Sequence, residues 1–483
     1  MTPTTELTRP APARPDGEHL LRWYIVVEKV RLLEYQRMRQ LSKDEAVHIG
    51  RLLHEAGLSP TLPGPAPDVA SAVEAYVQDR LPMTPARWHV EGNGNEARAC
   101  AEWLFARDRL ARTGDQLVAF GRSAVALARR TAHLPMPGHV TGQPARVITP
   151  GFYFAAVADQ ALRSGRRLLY TYDLSNTAAL GAGPMNGQEL AWDRDRMARL
   201  LGCAAATPHA LTAVASGSWI LESSGELTTL AVAFSRFVAD LITWGDAEHG
   251  YLDLPAEIAG VSLARSLPVL EQIRGRTAQL ITMSSELALS QRGAPFGAVA
   301  QVPTGPSARL LELFDSFDSL IRLLTAVLDR LEFRPDRMRD ACERAMVGKP
   351  ALANLLTLRA GLPWREAEAV AGTFATAAAG GNVADAAAVL TRVCAERGFD
   401  VPAPESLLAE AYDVDRNLHR TLTGGSAHPD AVRALLRHQF VELGEISQAW
   451  AERARSRRAG SAETDRLLGL GHLTALADPC EIR

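Results

Sequence analysis

Five long segments of the chain carry apolar residues at helical spacing, and this pattern limits the fold more than any other feature. In one of them Leu227, Leu230 and Phe234 recur every three or four residues. Strand signals are almost absent apart from a short piece at Val147 and Ile148. Long helices joined by irregular connections are typical of helical bundles, so the sequence predicts an all-α fold with a central long-helix bundle. The five segments are 96–133, 152–172, 218–244, 267–288 and 309–331.

Composition narrows the functional classes. The 483 residues include 52 Lys and Arg against 55 Asp and Glu, and the net charge of −3 lacks the basic excess of a nucleic-acid-binding protein. The five cysteines form no Cys-x-x-Cys pair, so neither a disulfide framework nor a zinc site is expected. The N-terminus lacks the apolar core of a signal peptide, and Arg236 and Asp240 interrupt the most apolar segment. We therefore expect a cytoplasmic protein with no metal, cofactor, nucleic-acid partner or membrane segment.

Proline, glycine and capping signals divide the chain. Four prolines precede residue 18, a Pro/Gly-rich linker covers 58–67, and Pro363 stands in the first turn of a new helix. Ser42 followed by Glu45 has capping-box spacing, which predicts a helix start. The predicted parts are a flexible lead at 1–18, an N-terminal helical domain at 19–107, a central bundle at 108–348, a small helical domain at 349–457 and a tail at 458–483.

A series of short local patterns carries a resemblance to a known family. They occur at 95–96, 106–108, 134–138, 180–183, 192–196, 200–202, 242–244, 271–277, 361–367 and 424–427. In order and spacing they resemble argininosuccinate lyase, of the fumarase/aspartase superfamily, over about residues 19–455. The resemblance implies a three-domain, nearly all-helical subunit whose long helices pack with those of three other copies.

The resemblance also implies a reaction. Family members release fumarate by β-elimination from a succinyl group on nitrogen or oxygen. A base removes a Cβ proton, an aci-carboxylate intermediate is stabilised, and an acid protonates the leaving atom. Three separate loops, each from a different subunit, form one active site, so the expected partners are other copies of this chain and a small-molecule substrate.

The first family loop reads roughly T-G-R-S-R-N-D and grips the succinyl carboxylates. Here residues 90–96 read Val-Glu-Gly-Asn-Gly-Asn-Glu, so only Asn95 is kept and both arginines are absent. Their loss removes the strongest bidentate contacts to a carboxylate. Asn95 is either a substrate-binding amide or the N-cap of the helix that follows.

The second family loop reads roughly M-P-G-Y-T-H-L-Q, and its histidine belongs to the acid/base machinery. Here Thr141 stands where that histidine would be, and His139 lies two positions earlier. Both are candidate catalytic residues, although His139 also fits an ordinary loop histidine. Gln143 is retained and either binds substrate or fixes the loop by hydrogen bonding.

The third family loop reads roughly G-S-S-x-M-P-x-K-x-N-P. Its serine is the carbanion-forming base, and its lysine and asparagine hold the intermediate. In this chain the corresponding region, 260–268, is about three residues shorter. Ser262 is the positional counterpart of the base, and Arg265 is the candidate replacement for the lysine charge.

Two further residues are candidate substrate ligands. Ser216 replaces part of an Asp-Arg-Asp run of the family, and Tyr172 is a candidate lining residue of an apolar cavity together with Trp219, Tyr153 and Phe154. Each of these aromatic residues also fits simple core packing at helical spacing.

Three functional hypotheses follow. The first is a β-elimination, releasing fumarate or breaking a related C–N or C–O bond, on a specialised-metabolism substrate other than argininosuccinate. The second is a binding or scaffold protein without catalysis, because the charged ligands of the family loops are missing. The third is a different reaction, such as a cyclisation, in a repurposed apolar cavity. All three keep the predicted homotetramer, because the segment 227–244 is apolar on more than one face.

Overall fold

The computed structural model describes residues 18–59, 66, 68–255, 268–292, 306–379 and 386–473. Within these ranges the chain is mostly helical, as predicted, because its long apolar periodicities favour helix packing on helix. The first helices are α1 Leu21–Arg37, α2 Lys43–Leu58, α3 Val69–Gln78, α4 Gly94–Thr131, α5 Pro150–Ser175, α6 Arg194–Leu200, α7 Ala210–Ala215 and α8 Ser218–Gly245. The others are α9 Pro268–Gln291, α10 Pro306–Arg330, α11 Pro335–Arg344, α12 Lys349–Ala360, α13 Trp364–Ala379, α14 Ala386–Ala395, α15 Pro404–Tyr412, α16 Val414–His419 and α17 Pro429–Leu467.

The N-terminal helices start where the sequence indicates. Ser42 Oγ accepts the backbone N–H of Glu45 at 3.2 Å, and the Glu45 carboxylate accepts the N–H of Ser42 at 2.7 Å, so the predicted capping box is confirmed. Helices α1–α3 share one apolar cluster with the start of α4 and with residues near 178–203.

The centre of the bundle is α4, which is 38 residues long and packs against α5, α10 and α17. Glycine in a helix interior often indicates a break, but α4 runs through Gly114 without interruption. A Cβ at Gly114 would lie 2.2 Å from the indole of Trp450 on α17. The glycine therefore allows close helix–helix approach instead of ending the helix.

The C-terminal helix differs from the sequence-based division. Helix α17 has 39 residues and passes through the predicted boundary at residue 457, so residues 458–467 are helix and not tail. Its apolar face, including Leu436, Leu443, Ile446 and Trp450, is buried in the central cluster against α4 and α5. A smaller apolar cluster, separate from the central one, is formed by residues within 352–412.

Three two-stranded ladders interrupt the helices. Strands β1 Met136–Val140 and β2 Gln143–Ile148 form an antiparallel hairpin with a bulge between Gly138 and His139. Strands β3 Thr177–Ala178 and β4 Ala205–Ala206 pair in parallel, and β5 Leu252–Asp253 pairs with β6 Glu332–Phe333 antiparallel. The sequence predicted only the extended piece at 147–148 of the hairpin.

Aromatic contacts show how three of the long helices run relative to one another. Trp103 in the first third of α4 contacts Trp219 at the start of α8 and Tyr172 near the end of α5. Tyr153 at the start of α5 contacts Trp244 at the end of α8. Helix α8 therefore runs parallel to α4 and α5 runs antiparallel to both. The bundle has two ends, which we call the first-loop end, at Gly94, and the hairpin end, at Thr131.

Candidate active site

The predicted site residues lie at both ends of the bundle. Asn95 opens α4, and Ser216 directly precedes α8 at the first-loop end. His139, Thr141 and Gln143 belong to the hairpin at the other end. A helix of 38 residues is about 57 Å long at 1.5 Å per residue, so one chain does not bring the two groups together. Ser262 and Arg265 lie outside the described residues.

Backbone strain marks two of the predicted loops. Six non-glycine residues of the described chain have a positive φ, and three of them lie at or beside these loops. They are His89 (67°), Glu91 (56°) and Thr141 (50°). Left-handed non-glycine residues are uncommon and concentrate at functional sites, so their positions support the choice of these loops.

The first loop is held tightly by its own backbone. Gly92 N–H donates to the carbonyl of His89 at 2.7 Å, and a Cβ on Gly92 would come within 2.9 Å of that oxygen. The N-cap of α4 is Asn93, whose Oδ1 accepts the N–H of Asn95 at 2.8 Å. The N-cap interpretation of Asn95 is therefore wrong, and its amide has no capping task.

A buried charge network lies behind the loop. Arg31 of α1 donates to Glu28 at 2.8 Å and to Glu96 at 3.1 Å, and all three side chains are buried. Glu96 also accepts the N–H of Gly183 at 2.6 Å. Burial raises the pKa of Glu28, but Arg31 and His89 outweigh it and lower this pKa to about 2. Burial holds the pKa of Glu96 above its usual range despite Arg31.

His89 joins this network to a small cavity. Its Nε2 lies 2.9 Å from Glu28, and its Nδ1 lies 3.4 Å from Glu74. Burial lowers the pKa of His89, but the two carboxylates outweigh it and raise this pKa above the usual value. The cavity is about 190 Å³ and is lined by Tyr24, Glu28, Arg31, Glu74, Trp88, His89, Asn93 and neighbouring apolar residues.

The chemistry of this cavity differs from that of a carboxylate grip. The Arg31 guanidinium already serves two carboxylates, and its Nε has no hydrogen-bond partner among the described residues. Glu28 and Glu74 border the cavity, but Glu28 is paired with Arg31 and His89, so Glu74 is the carboxylate more available to a donor-rich group. A larger open recess of about 540 Å³ at the α1–α2 turn contains none of the predicted site residues.

Sequence reasoning missed Glu28, Arg31 and His89. A signal was present, because charged residues at 28, 29, 31 and 34 interrupt the otherwise apolar run of α1. Buried charges are rare unless they are paired, so such a run predicts a buried ionic network.

The hairpin presents its turn to solvent. Val140 pairs with Gln143, and the two residues between them, Thr141 and Gly142, both have left-handed backbone. This is the geometry of a type I′ hairpin turn. The Thr141 hydroxyl donates to the carbonyl of Val140 at 2.7 Å, and Thr141 and Gln143 are exposed.

His139 points away from this turn toward a second histidine. The rings of His139 and His249 are 5.8 Å apart at 71°, an edge-to-face arrangement. His249 Nδ1 lies 3.0 Å from Asp246 Oδ1, which also accepts the His249 backbone N–H at 2.7 Å. Burial, together with the charge of His249, lowers the pKa of His139. His249 did not stand out in the sequence, because its partner is 110 positions away.

The aromatic candidates form core contacts. Tyr172 is 1% exposed and packs edge-to-face on Trp450, so it presents no open surface within this chain. Phe154 is fully buried, and Tyr153 donates its hydroxyl to Asp240. Over the ranges described, no group of three His, Cys, Asp or Glu side chains is arranged to hold a metal ion.

Comparison with known proteins agrees with this architecture. A family model described as lyase matches residues 99–263. Argininosuccinate lyase of Lachnospira eligens is 24% identical over 63% of this chain and 67% of its own length. That of Rhodococcoides fascians is 24% identical over 81% and 80%.

Solved structures share the fold at low identity. A variant of EDDS lyase with bound fumarate superposes with a TM-score of 0.86 at 18% identity, over 95% of this chain and 93% of its own. A class II fumarase from Schistosoma mansoni gives 0.66 at 12% identity over 82% and 91%. The family match, the low-identity relatives and the shared fold together support a divergent, argininosuccinate lyase-like member of the fumarase/aspartase superfamily.

Proposed function

We propose that the protein catalyses β-elimination of an N- or O-substituted succinate, releasing fumarate, and that its substrate is not argininosuccinate. The active sites are shared between copies in a homotetramer. The single observation that carries the proposal is the separation of the first loop and the hairpin by the length of α4, about 57 Å. Only a second copy could bring such loops together around one ligand.

The exposed face of α8 supports the shared assembly. Leu221 and Val232 on α8 are 40% and 44% exposed, and Leu289 on the adjacent α9 is 67% exposed. Among the described helices, α8 is also the one that is long and apolar enough to cross a membrane. Because 44% of that apolar window is buried within the chain, we assign the exposed remainder to contacts between copies.

The first-loop cavity supports a different substrate. Arg31 is committed to Glu28 and Glu96, so among the described residues that line the cavity no free guanidinium replaces the two lost loop arginines. We assign Asn95 and Ser216 to substrate contacts at this end, and the half-buried Glu74 to a donor-rich leaving group such as an amine. Gln143 and Thr141 would contact substrate at the hairpin end.

Ser262 is the proposed base. A serine is a weak base at its ordinary pKa and needs nearby positive charge to act. Arg265 would supply that charge. Removal of a general base slows turnover by roughly a hundredfold to ten-thousandfold.

The test is fumarate release from a panel of N-succinyl amines and amino acids, with argininosuccinate included. We expect turnover of at least one member and little or none of argininosuccinate. Ser262→Ala should abolish this activity without changing the oligomer, whereas Ser285→Ala, an exposed serine on α9, should leave it intact. Efficient cleavage of argininosuccinate, or full activity of Ser262→Ala, would contradict the proposal.

A scaffold role without catalysis is the second candidate. The first-loop cavity has a volume of about 190 Å³, below the roughly 300–1,000 Å³ of ordinary ligand sites. Its charged lining residues are already joined to each other by ion pairs. Failure of every panel member to yield fumarate would favour this role. The cyclisation hypothesis needs an open aromatic cavity, whereas Tyr172 packs on Trp450 and Tyr153 packs on Phe154.

A further inference from the structure

The hairpin end contains a cluster of titratable side chains, His139, His249 and Asp246, and two of them, His249 and Asp246, lie outside the three family loops. The second loop carries Thr141 where the family has its acid/base histidine, and the Thr141 hydroxyl is turned to its own backbone. Behind the hairpin, His139 and His249 meet edge to face, and His249 is hydrogen-bonded to Asp246.

Local sequence fixes the Asp246–His249 contact. Asp246 is the C-cap of α8, and the chain turns back over Asp-Ala-Glu-His, so a side chain three residues on returns to the carboxylate. The same carboxylate accepts both the backbone N–H and Nδ1–H of His249. With Nδ1 held, Nε2 is the ring nitrogen left for a ligand.

The hairpin fixes the other histidine. The bulge between Gly138 and His139 re-aims the strand, and the His139 ring packs toward the end of α8. Burial lowers the pKa of His139, which reduces the positive charge that this ring places beside His249. His249 itself keeps 23% of its side chain open.

We propose that His249, oriented by Asp246 and packed against His139, is the general acid that protonates the leaving nitrogen. This inference rests on the proposed elimination. The base takes the Cβ proton, the C–H electron pair forms the C=C bond, and the C–N pair moves to nitrogen. His249 gives its Nε2 proton to that nitrogen, and exchange with water then restores both groups.

Other ionisable groups surround this pair. They are Tyr153 from α5, Asp240 from α8, Tyr251 immediately before β5, and Arg337, Cys342 and Arg344 from α11. Arg337 lies against the carbonyl of His249, and its Nε has no hydrogen-bond partner among the described residues. Within the described ranges, Asp246 is the carboxylate in contact with Nδ1 of His249.

The experiment distinguishes the general acid, His249, from the base, Ser262, by comparing two substrates with different leaving groups. One substrate is the N-succinyl amine that turns over fastest in the panel, and the other is 2-chlorosuccinate, which loses chloride and needs no proton. His249→Gln should lower kcat for the amine roughly a hundredfold to ten-thousandfold and change chloride elimination by less than about tenfold. Ser262→Ala should impair both reactions, and His133→Gln, an exposed histidine near the hairpin, should impair neither.

The pH dependence of kcat provides a second test, because a purely structural role of His249 would not change it. In the wild type, kcat for the amine should fall as pH rises and the acid loses its proton, and His249→Gln should lack this limb. Asp246→Asn, which can still cap α8, should give a smaller selective loss on the amine and serves as a second variant. Equal losses on both substrates, or none, would overturn the acid role alone. No fumarate from either substrate with the wild type would overturn the proposed function and the acid role with it.

Discussion

Glu28→Gln tests whether the buried charges at the first-loop end act as one unit. Glu28 is 8% exposed and contacts Arg31 at 2.8 Å and His89 at 2.9 Å. Its pKa is lowered from 4.5 to about 2. At about 1.4 kcal/mol for each pKa unit, this depression corresponds to roughly 3 kcal/mol of folding stability.

The pH window follows from the direction of this shift. Because the folded pKa lies below the unfolded one, the stabilisation is fully present above pH 4.5 and is lost as pH falls toward 2. A glutamine cannot ionise and lacks this contribution. Urea unfolding, followed by circular dichroism, should show the variant about 3 kcal/mol less stable at pH 7, with the difference shrinking below pH 4.5.

Glu55→Gln is the matched control, since Glu55 is an exposed glutamate on the neighbouring α2. Its effect should stay within about 0.5 kcal/mol at every pH. Equal stability of wild type and Glu28→Gln at pH 7, or a difference that does not change down to pH 3, would refute the reasoning.

Three further predictions concern the scaffold. Gly114→Ala places a methyl group against Trp450 and should destabilise the fold by about 1–3 kcal/mol or more in urea unfolding, whereas Gly444→Ala, at an open position on α17, should stabilise it by up to about 1 kcal/mol. Thr141→Asn relieves a left-handed β-branched residue and should raise Tm by an amount equivalent to about 1 kcal/mol; an unchanged Tm would contradict the strain. Light scattering should give the mass of four chains, and a stable monomer would disprove the assembly.

Helical periodicity predicted the bundle well. The segment predicted at 218–244 is observed as Ser218–Gly245, and that predicted at 267–288 as Pro268–Gln291. These helices are long and carry apolar residues at helical spacing, which is the strongest signal a single sequence carries. The small change at each end reflects capping, which depends on one or two side chains.

The hairpin could not be predicted from local signals. Its strands contain Pro137 and Gly138, which disfavour strand, and its turn uses Thr141 where Asn or Asp would normally indicate a type I′ turn. Packing of β1 against α11 and of β2 against α16 supplies what the local sequence does not. The role of α17 was missed for a similar reason, because a polar composition hid its single buried face.

The sequence predicted the loop positions of the candidate site but not the contacts between them. Loop positions such as Asn95 and His139 could be found by order and spacing. The contacts that give them chemistry join residues far apart in sequence, such as Arg31 with Glu96 and His139 with His249. Such pairings depend on where helices end relative to each other, and no local pattern records that.

The division between helix middles and helix ends explains how this fold can carry altered chemistry. Close packing such as that of Trp450 against Gly114 lies in the middle of α4, where an added methyl group would collide. Several candidate functional residues lie beyond the helix ends, where Glu91, Thr141 and His249 make contacts mainly with loop backbone or other loop side chains. Loop residues can therefore change while the bundle keeps its shape. A match of helices at 18% identity accordingly establishes the fold, and the substrate must be inferred from the side chains at the two ends.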